Sequence, residues 1–205
     1  MRMRYRAILS DLERFRCLAR DDIAAIHFRG NKVPIKATNE VMRRLRDRGE
    51  VELVTTTTPY VYAVKPSPLR KDSQKVPHYL AIAGVYREML RIGPPRIFQV
   101  EPKYGKGLPE PDIFTIWAGR AFWIEVQRNV FSAQVWQGKF QRYINFFRNG
   151  RWREESWQPK DKKVFPYVLI LSSNRVFVPN DLLFPVLQGK SISELFTESK
   201  IHKTS

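Results

Sequence analysis

Pro111-Asp112-Ile113-Phe114-Thr115-Ile116-Trp117-Ala118-Gly119-Arg120-Ala121-Phe122-Trp123-Ile124-Glu125-Val126-Gln127-Arg128 is two runs of β-favouring residues on either side of one glycine. Branched and aromatic side chains suit a pleated, half-buried surface, and Gly119 supplies the positive φ that opens a type II′ turn. The spacing therefore predicts a β-hairpin turning at Gly119-Arg120, with Asp112 opposite Gln127 and Phe114 opposite Glu125. Side chains alternate across a strand, so Asp112, Glu125 and Gln127 are expected on one face at one end of the hairpin. A carboxylate inside Phe122-Trp123-Ile124-Glu125-Val126 is costly unless a cation or hydrogen-bond donors compensate it. A hard divalent ion shared with Asp112 would do so. A neighbouring base such as Arg128 or Lys103 would do so equally.

Working outward, Tyr79, Ile82, Ala83, Tyr86, Met89 and Leu90 recur at helical spacing over His78 to Arg91, and Gly93-Pro94-Pro95 stops that helix. Ile97 to Val100 reads as a short strand, followed by a glycine-proline loop. Downstream, Ser132 caps a helix running to Arg148, with Val135, Trp136, Phe140, Tyr143, Ile144 and Phe147 inward and Asn149-Gly150 as its stop. Lys139 and Gln141 on this helix either face the acids of the hairpin or lie on the surface, and Lys139 and Arg142 are candidate DNA contacts. Trp152 and Trp157 alternate with Arg151, Arg153, Lys160, Lys162 and Lys163, a pattern that suits stacking along a nucleic-acid backbone and equally suits buried tryptophans beneath a basic surface. Val164 to Leu171 and Arg175 to Val178 add two expected strands. The chain from Lys190 onward reads as peripheral.

Charge narrows the partners. Lys plus Arg number 36 against 20 Asp plus Glu among 205 residues, a formal net charge of +16 and a pI near 10.2. Such an excess calls for a polyanion. It divides evenly, +8 on residues 1–76 and +8 on 77–205, and within the second part Arg128 to Lys163 holds nine basic and three acidic residues. No stretch approaches the roughly 18 apolar residues of a membrane span, so nucleic acid is the expected partner and a membrane is not. The single cysteine, Cys17, cannot close an intramolecular disulfide, which points to a reducing, cytoplasmic setting. There is no Cys/His cluster and no phosphate-cradling glycine loop, so zinc enzymes, thiol redox enzymes and P-loop NTPases drop out.

The first third reads as a DNA-binding unit. Apolar positions predict helices over Tyr5 to Leu18, Asp21 to Phe28 and Pro34 to Arg48, the third opened by Pro34 and closed by Gly49. On that third helix Ile35, Thr38, Val41, Met42 and Leu45 share one side, and Lys36, Asn39, Arg43 and Arg46 the other. Val51 to Thr55 and Tyr60 to Lys65 then read as paired strands. Three helices followed by a hairpin is the winged helix-turn-helix arrangement, whose third helix enters the major groove of double-stranded DNA. Asn39 and Arg43 are the candidate base readers. Lys32, Lys36 and Arg46, with Thr57 or Thr58 on the wing, are candidate phosphate contacts. The same arginines would also make an ordinary solvated helix face. The expected organisation is α+β, or α/β in its second part: a winged helix over 1–65, a linker over 66–77, and a small mixed sheet flanked by helices over 78–205.

Pro111-Asp112, a gap of twelve residues, then Glu125-Val126-Gln127 resembles the PD-(D/E)xK nuclease signature, with glutamine in place of the final lysine. The resemblance implies that Asp112 and Glu125 hold Mg²⁺ or Mn²⁺ for phosphodiester cleavage, that Gln127 orients water, and that Glu88 on the preceding helix is a further acid. Because Gln127 carries no positive charge, cleavage would be slow, rescued by another base such as Lys139, or lost. The order of parts is similar to the replication-relaxation family of plasmids and integrative elements, on "ERFRCLAR", "HYLAIAGVY", "PEPDIFTIWAGRAFWIEVQRN", "KFQRYINFF" and "WQPKDKKVFPYVLILSS" across residues 11 to 178. That similarity implies a DNA-binding protein of a mobile element with a nuclease-like core, acting with the element's replication proteins and leaving homodimerisation open. The rival expectation is a non-catalytic replication or regulatory factor on a degenerate nuclease scaffold.

Overall fold

Tyr5, Ile8, Leu12 and Phe15 form the buried side of helix α1 (Arg2–Phe15) in the computed structural model, which describes residues 2–55, 58–71 and 73–201. The helix ends sooner than its apolar spacing predicts. Arg16 turns the backbone at φ 67°, and Leu18 leaves the helix to pair with Tyr62 in strand β1 (Leu18–Ala19). Helix α2 (Arg20–His27) is fixed at its start by Asp22, whose Oδ2 accepts from the Ala19 amide at 2.9 Å. Helix α3 (Pro34–Asp47) buries Thr38, Val41, Met42 and Leu45. Ile35, expected on that side, is 37% exposed because it lies in the first turn, ahead of the packed face. Gly49, at φ 71°, stops the helix, and β2 (Val51–Leu53) and β3 (Val61–Val64) follow, giving an antiparallel sheet of order β1-β3-β2.

Helix α4 (Val76–Ile92) corrects the expected domain boundary. The chain divides into Met1–Arg91 and Ile92–Ser205, not within 66–77. Arg87 Nε lies 2.8 Å from Asp22, the Tyr86 ring packs 5.3 Å from Phe15, and Arg29 donates to the Leu90 carbonyl at 2.9 Å. These contacts hold α4 to the N-terminal helices.

The second unit is built on a five-stranded mixed sheet of order β4-β5-β6-β7-β8: β4 (Ile97–Val100), β5 (Ile113–Trp117), β6 (Arg120–Val126), β7 (Tyr167–Leu171) and β8 (Val186–Gly189). The β5–β6 hairpin forms, but its turn is Ala118-Gly119, with Trp117 opposite Arg120. Both turn residues have positive φ, 48° and 75°, the requirement of a type I′ rather than a type II′ turn. The register therefore slips by two residues from expectation, and Asp112 moves from opposite Gln127 to opposite Glu125. An even slip keeps every side chain on its face.

Between the parallel strands β6 and β7 runs α5 (Ala133–Asn149), capped by Ser132 and ended by Gly150, with a 3-10 turn at Arg151–Glu154 after it. Its buried residues are Trp136, Phe140, Tyr143 and Phe146. Val135, expected inward, is exposed in the first turn. Arg175–Val178 is not a strand. The Gln188 side chain of β8 bonds both the amide and the carbonyl of Val176, at 2.8 and 2.9 Å, and holds that segment as a loop. The residues after Lys190 are less peripheral than expected, since α6 (Ile192–Ile201) buries Ile192 and sets Phe196 4.3 Å from the Trp117 ring. Among the described residues no helix is long and apolar enough to cross a membrane.

Asparagine tolerates positive φ better than alanine, so Ala118→Asn should raise stability, measured by urea denaturation, by about 0.5–1 kcal/mol; an unchanged or lower midpoint would refute the turn assignment. Burial and the nearby Asp22 push the Cys17 thiol up to about 12. Cys17 should accordingly resist a disulfide-exchange reagent in native buffer and titrate in full once guanidinium unfolds the chain.

Candidate functional site

Alternation along the hairpin puts Phe114 and Ile116 of β5 and Ala121 and Trp123 of β6 on the face that packs against Tyr143 and Phe146 of α5. Glu125 is the next residue in that row, and it carries a carboxylate into the same apolar layer with only 3% of its surface exposed. The cation that compensates it comes from α5. Lys139 Nζ lies 2.5 Å from Glu125 Oε2, and the Tyr143 hydroxyl donates to Oε1 at 2.7 Å. Lys139 and Tyr143 are four residues apart, hence on one side of the helix. The two bases expected from sequence play no part in this pair: Lys103 pairs with Glu110 at 3.1 Å, and Arg128 is exposed.

Asp112 closes the open end of the hairpin. Its Oδ2 accepts from the Val126 amide at 2.7 Å, and its carbonyl accepts from the Glu101 amide at 2.8 Å. Burial pushes the Glu125 carboxyl above the usual carboxylate range, the Lys139 ammonium pulls it back, and the Asp112 charge pushes it up again. Burial, with the Glu125 charge beside it, raises the Tyr143 hydroxyl well above its ordinary value and keeps it a neutral donor.

The structure thus brings together Asp112, Glu125 and Lys139, with Tyr143 as the member that the sequence pattern treats as ordinary core. The signal for Tyr143 is its place one turn beyond Lys139 on the face turned to the hairpin. Gln127 extends the parallel ladder by donating its amide to the Leu171 carbonyl at 2.9 Å, while its side chain lines a separate cleft. Glu88 belongs to α4 and so to the N-terminal unit; the acid–lysine group is drawn wholly from the second. Arg142 is exposed three residues beyond Lys139. Trp152 and Trp157 do not form a stacking surface. Trp152 is 4% exposed with its Nε1 donating to the Phe147 carbonyl, and Trp157 packs 4.9 Å from Phe114.

In the N-terminal unit, Lys32, Lys36, Asn39, Arg43 and Arg46 are all exposed. The last four recur at intervals of three, four and three residues and so form one stripe along α3. Thr58 is exposed, and Thr57 lies outside the described residues.

For a divalent ion, the second unit offers two hard carboxylate donors. Among the described residues no group of three His, Cys, Asp or Glu side chains stands ready for a metal. Two carboxylates against one ammonium leave a formal charge of −1 at this end of the hairpin, with both Glu125 oxygens already bonded, to Lys139 and Tyr143.

Removing one partner of a buried ion pair leaves the other charge uncompensated. Lys139→Met should therefore destabilise the chain by about 3 kcal/mol near neutral pH. The Glu125 proton is held more tightly in the folded than in the unfolded chain, so this group favours folding at low pH and loses that contribution as pH rises through its raised native value. Denaturation of Lys139→Met across pH should show the loss shrinking as pH falls and Glu125 takes up its proton; a loss constant with pH would mean that Glu125 is not the charge left uncompensated.

Compared with known protein families, with curated proteins and with solved structures, the chain finds no match in any of the three.

Proposed function

We propose that this chain is a DNA-processing protein whose second unit is a PD-(D/E)xK-like nuclease core and whose N-terminal unit is a winged helix-turn-helix, acting in replication or relaxation of a mobile element's DNA. The observation that carries the reading is the approach of Lys139 Nζ to within 2.5 Å of Glu125, with Asp112 at the same end of the hairpin. The resemblance expects a lysine two residues after the second acid, where this chain has Gln127. An ammonium delivered from α5 supplies the charge that glutamine lacks.

Phosphodiester hydrolysis needs a water positioned in line with the scissile bond and stabilisation of the charge that builds on the phosphoryl oxygens. Asp112 and Glu125 would hold Mg²⁺ or Mn²⁺, which when bound supplies Lewis-acid stabilisation of that charge. Lys139 would hold the attacking water through its Nζ while it continues to neutralise Glu125. Tyr143, donating to Oε1, would keep that carboxylate aligned. The Asp112 carboxylate is held by the Val126 amide, so the hairpin end stays closed throughout.

Duplex DNA would be engaged by the α3 stripe, with Asn39 and Arg43 toward base edges and Lys32, Lys36 and Arg46 toward phosphates. The β2–β3 hairpin that follows α3 would supply the wing. This division of labour agrees with an excess of basic charge in both parts of the chain.

A second reading has an observation of its own. Both oxygens of Glu125 are already engaged and only 3% of the residue is exposed, as expected of a structural ion pair in a non-catalytic DNA-binding factor. Supercoiled plasmid incubated with Mg²⁺ or Mn²⁺ separates the two. The nuclease reading expects conversion to open circle that Asp112→Asn and Lys139→Ala each reduce by about 100-fold or more, the scale of losing a positioned catalytic group. A retarded plasmid with no metal-dependent conversion would establish the binder instead.

On the N-terminal unit, Lys36→Ala with Arg46→Ala should weaken duplex binding and flatten the slope of log affinity against log salt by about 2, near one unit for each cation withdrawn from a phosphate. An unaltered slope would remove α3 from the interface.

A further inference from the structure

Beside the acid–lysine group lies a cleft of about 650 Å³, within the roughly 300–1,000 Å³ of small-ligand sites. It runs between α5 and the loop that Gln188 pins, and its apolar floor continues a cluster of Trp136, Phe140 and Ile170. Two aromatic rings stand at its edge in unusual exposure, Phe177 at 80% and Phe131 at 40%. Large apolar rings left in water at the rim of a concave site mark a binding surface more often than scattered single residues do.

The cleft also carries unused polarity. Trp136 Nε1, in a residue 4% exposed, and Gln127 Oε1 are shielded from solvent and have no hydrogen-bond partner among the described residues. A buried donor and a buried acceptor left unmade each carry a desolvation penalty, which a ligand presenting one acceptor and one donor would recover. The cation among the lining residues is Arg175, exposed, with Asp181 as the one acid; Lys139, outside the lining, holds its Nζ 5.7 Å from the Trp136 ring centre and 5.9 Å from that of Phe131.

A flat ring system with donors and acceptors on its edge, tied to an anionic phosphate, matches this combination. We infer that the cleft holds an unpaired base of a DNA strand. Phe177 and Phe131 stack on its faces, Trp136 Nε1 and Gln127 Oε1 bond its edge, and Arg175 takes an adjoining phosphate. In duplex DNA the faces are stacked and the edges paired, so only a single strand or a displaced base enters such a cleft. The inference rests on the DNA-processing reading above and adds to it the strand state of the substrate.

The test is fluorescence anisotropy with a labelled single-stranded oligonucleotide and its duplex, in EDTA so that no strand is cut. Phe177→Ala removes an exposed ring and leaves the core intact, whereas Trp136→Phe deletes the N–H together with part of a buried ring, so its urea midpoint is measured alongside its binding. Phe177→Ala should weaken single-strand binding about tenfold, the scale of one lost base–aromatic stack, and duplex binding less than about twofold. Trp136→Phe should weaken the single strand alone by several-fold. Equal effects on both DNA forms, or none, would overturn the cleft assignment while leaving duplex binding by α3 intact. Full competition by a free deoxynucleotide at its own concentration range would make the cleft a mononucleotide site and overturn the strand assignment. If the wild-type chain binds neither form, the inference falls together with the reading on which it rests.

Discussion

A carboxylate within the apolar layer between a five-stranded sheet and its covering helix is the constraint around which the second unit is organised. Glu125 follows Ala121 and Trp123 on the face that packs against α5, and its ionised form is tolerable there only with a cation and a donor at hand. Both come from α5, one turn apart, so the rotation and axial position of that helix are tied to a single side chain of β6. The rest of the layer is consistent with this setting. With Lys139 and Tyr143 turned toward Glu125, Phe146 lies against Trp123, at 5.7 Å between ring centres, and the Trp123 indole donates to Tyr104 at 2.8 Å.

In the N-terminal unit the organising charge is Asp22. One of its oxygens takes the Ala19 amide at the start of α2, and the other takes Arg87 from α4. Burial pushes this carboxyl up as well, with Arg87 opposing the shift. Each unit thus contains one shielded acid paired with a base from a later helix. The consequences differ. Asp22 lies at a helix terminus and fastens α4 to its neighbours, whereas Glu125 lies beside a second carboxylate and an open cleft.

Much of this arrangement is legible in the chain because it obeys local rules. Ser132 and Gly150 bound α5 as capping chemistry predicts, Thr38, Val41, Met42 and Leu45 turn inward on α3, and the alternation that groups Asp112 with Glu125 survives in the hairpin. The turn type is not legible, because Gly119 alone signals positive φ, while Ala118 adopts it without any compositional sign. Three further features depend on contacts distant in sequence. Leu18 exchanges a helical turn for a bond to β3, α4 joins the first unit through Arg87, and the Val176 segment is claimed by the Gln188 side chain before it can extend a sheet. Lys139 is identifiable as a candidate, but the nuclease pattern assigns its lysine to position 127, and periodicity alone does not say which polar residue of α5 faces the hairpin.

The delivery of Lys139 from the helix that directly follows β6 also bears on chain entropy. Only thirteen residues separate Glu125 from Lys139, so joining them closes a short loop. Closure cost grows by about 0.6 kcal/mol with each doubling of loop length, and a lysine some hundred residues away would need on the order of 2 kcal/mol more to reach the same oxygen. Asp112, Glu125, Lys139 and Tyr143 all fall within one stretch from β5 to α5, and the buried acid finds its counter-charge within its own segment, without waiting for the distant parallel strands.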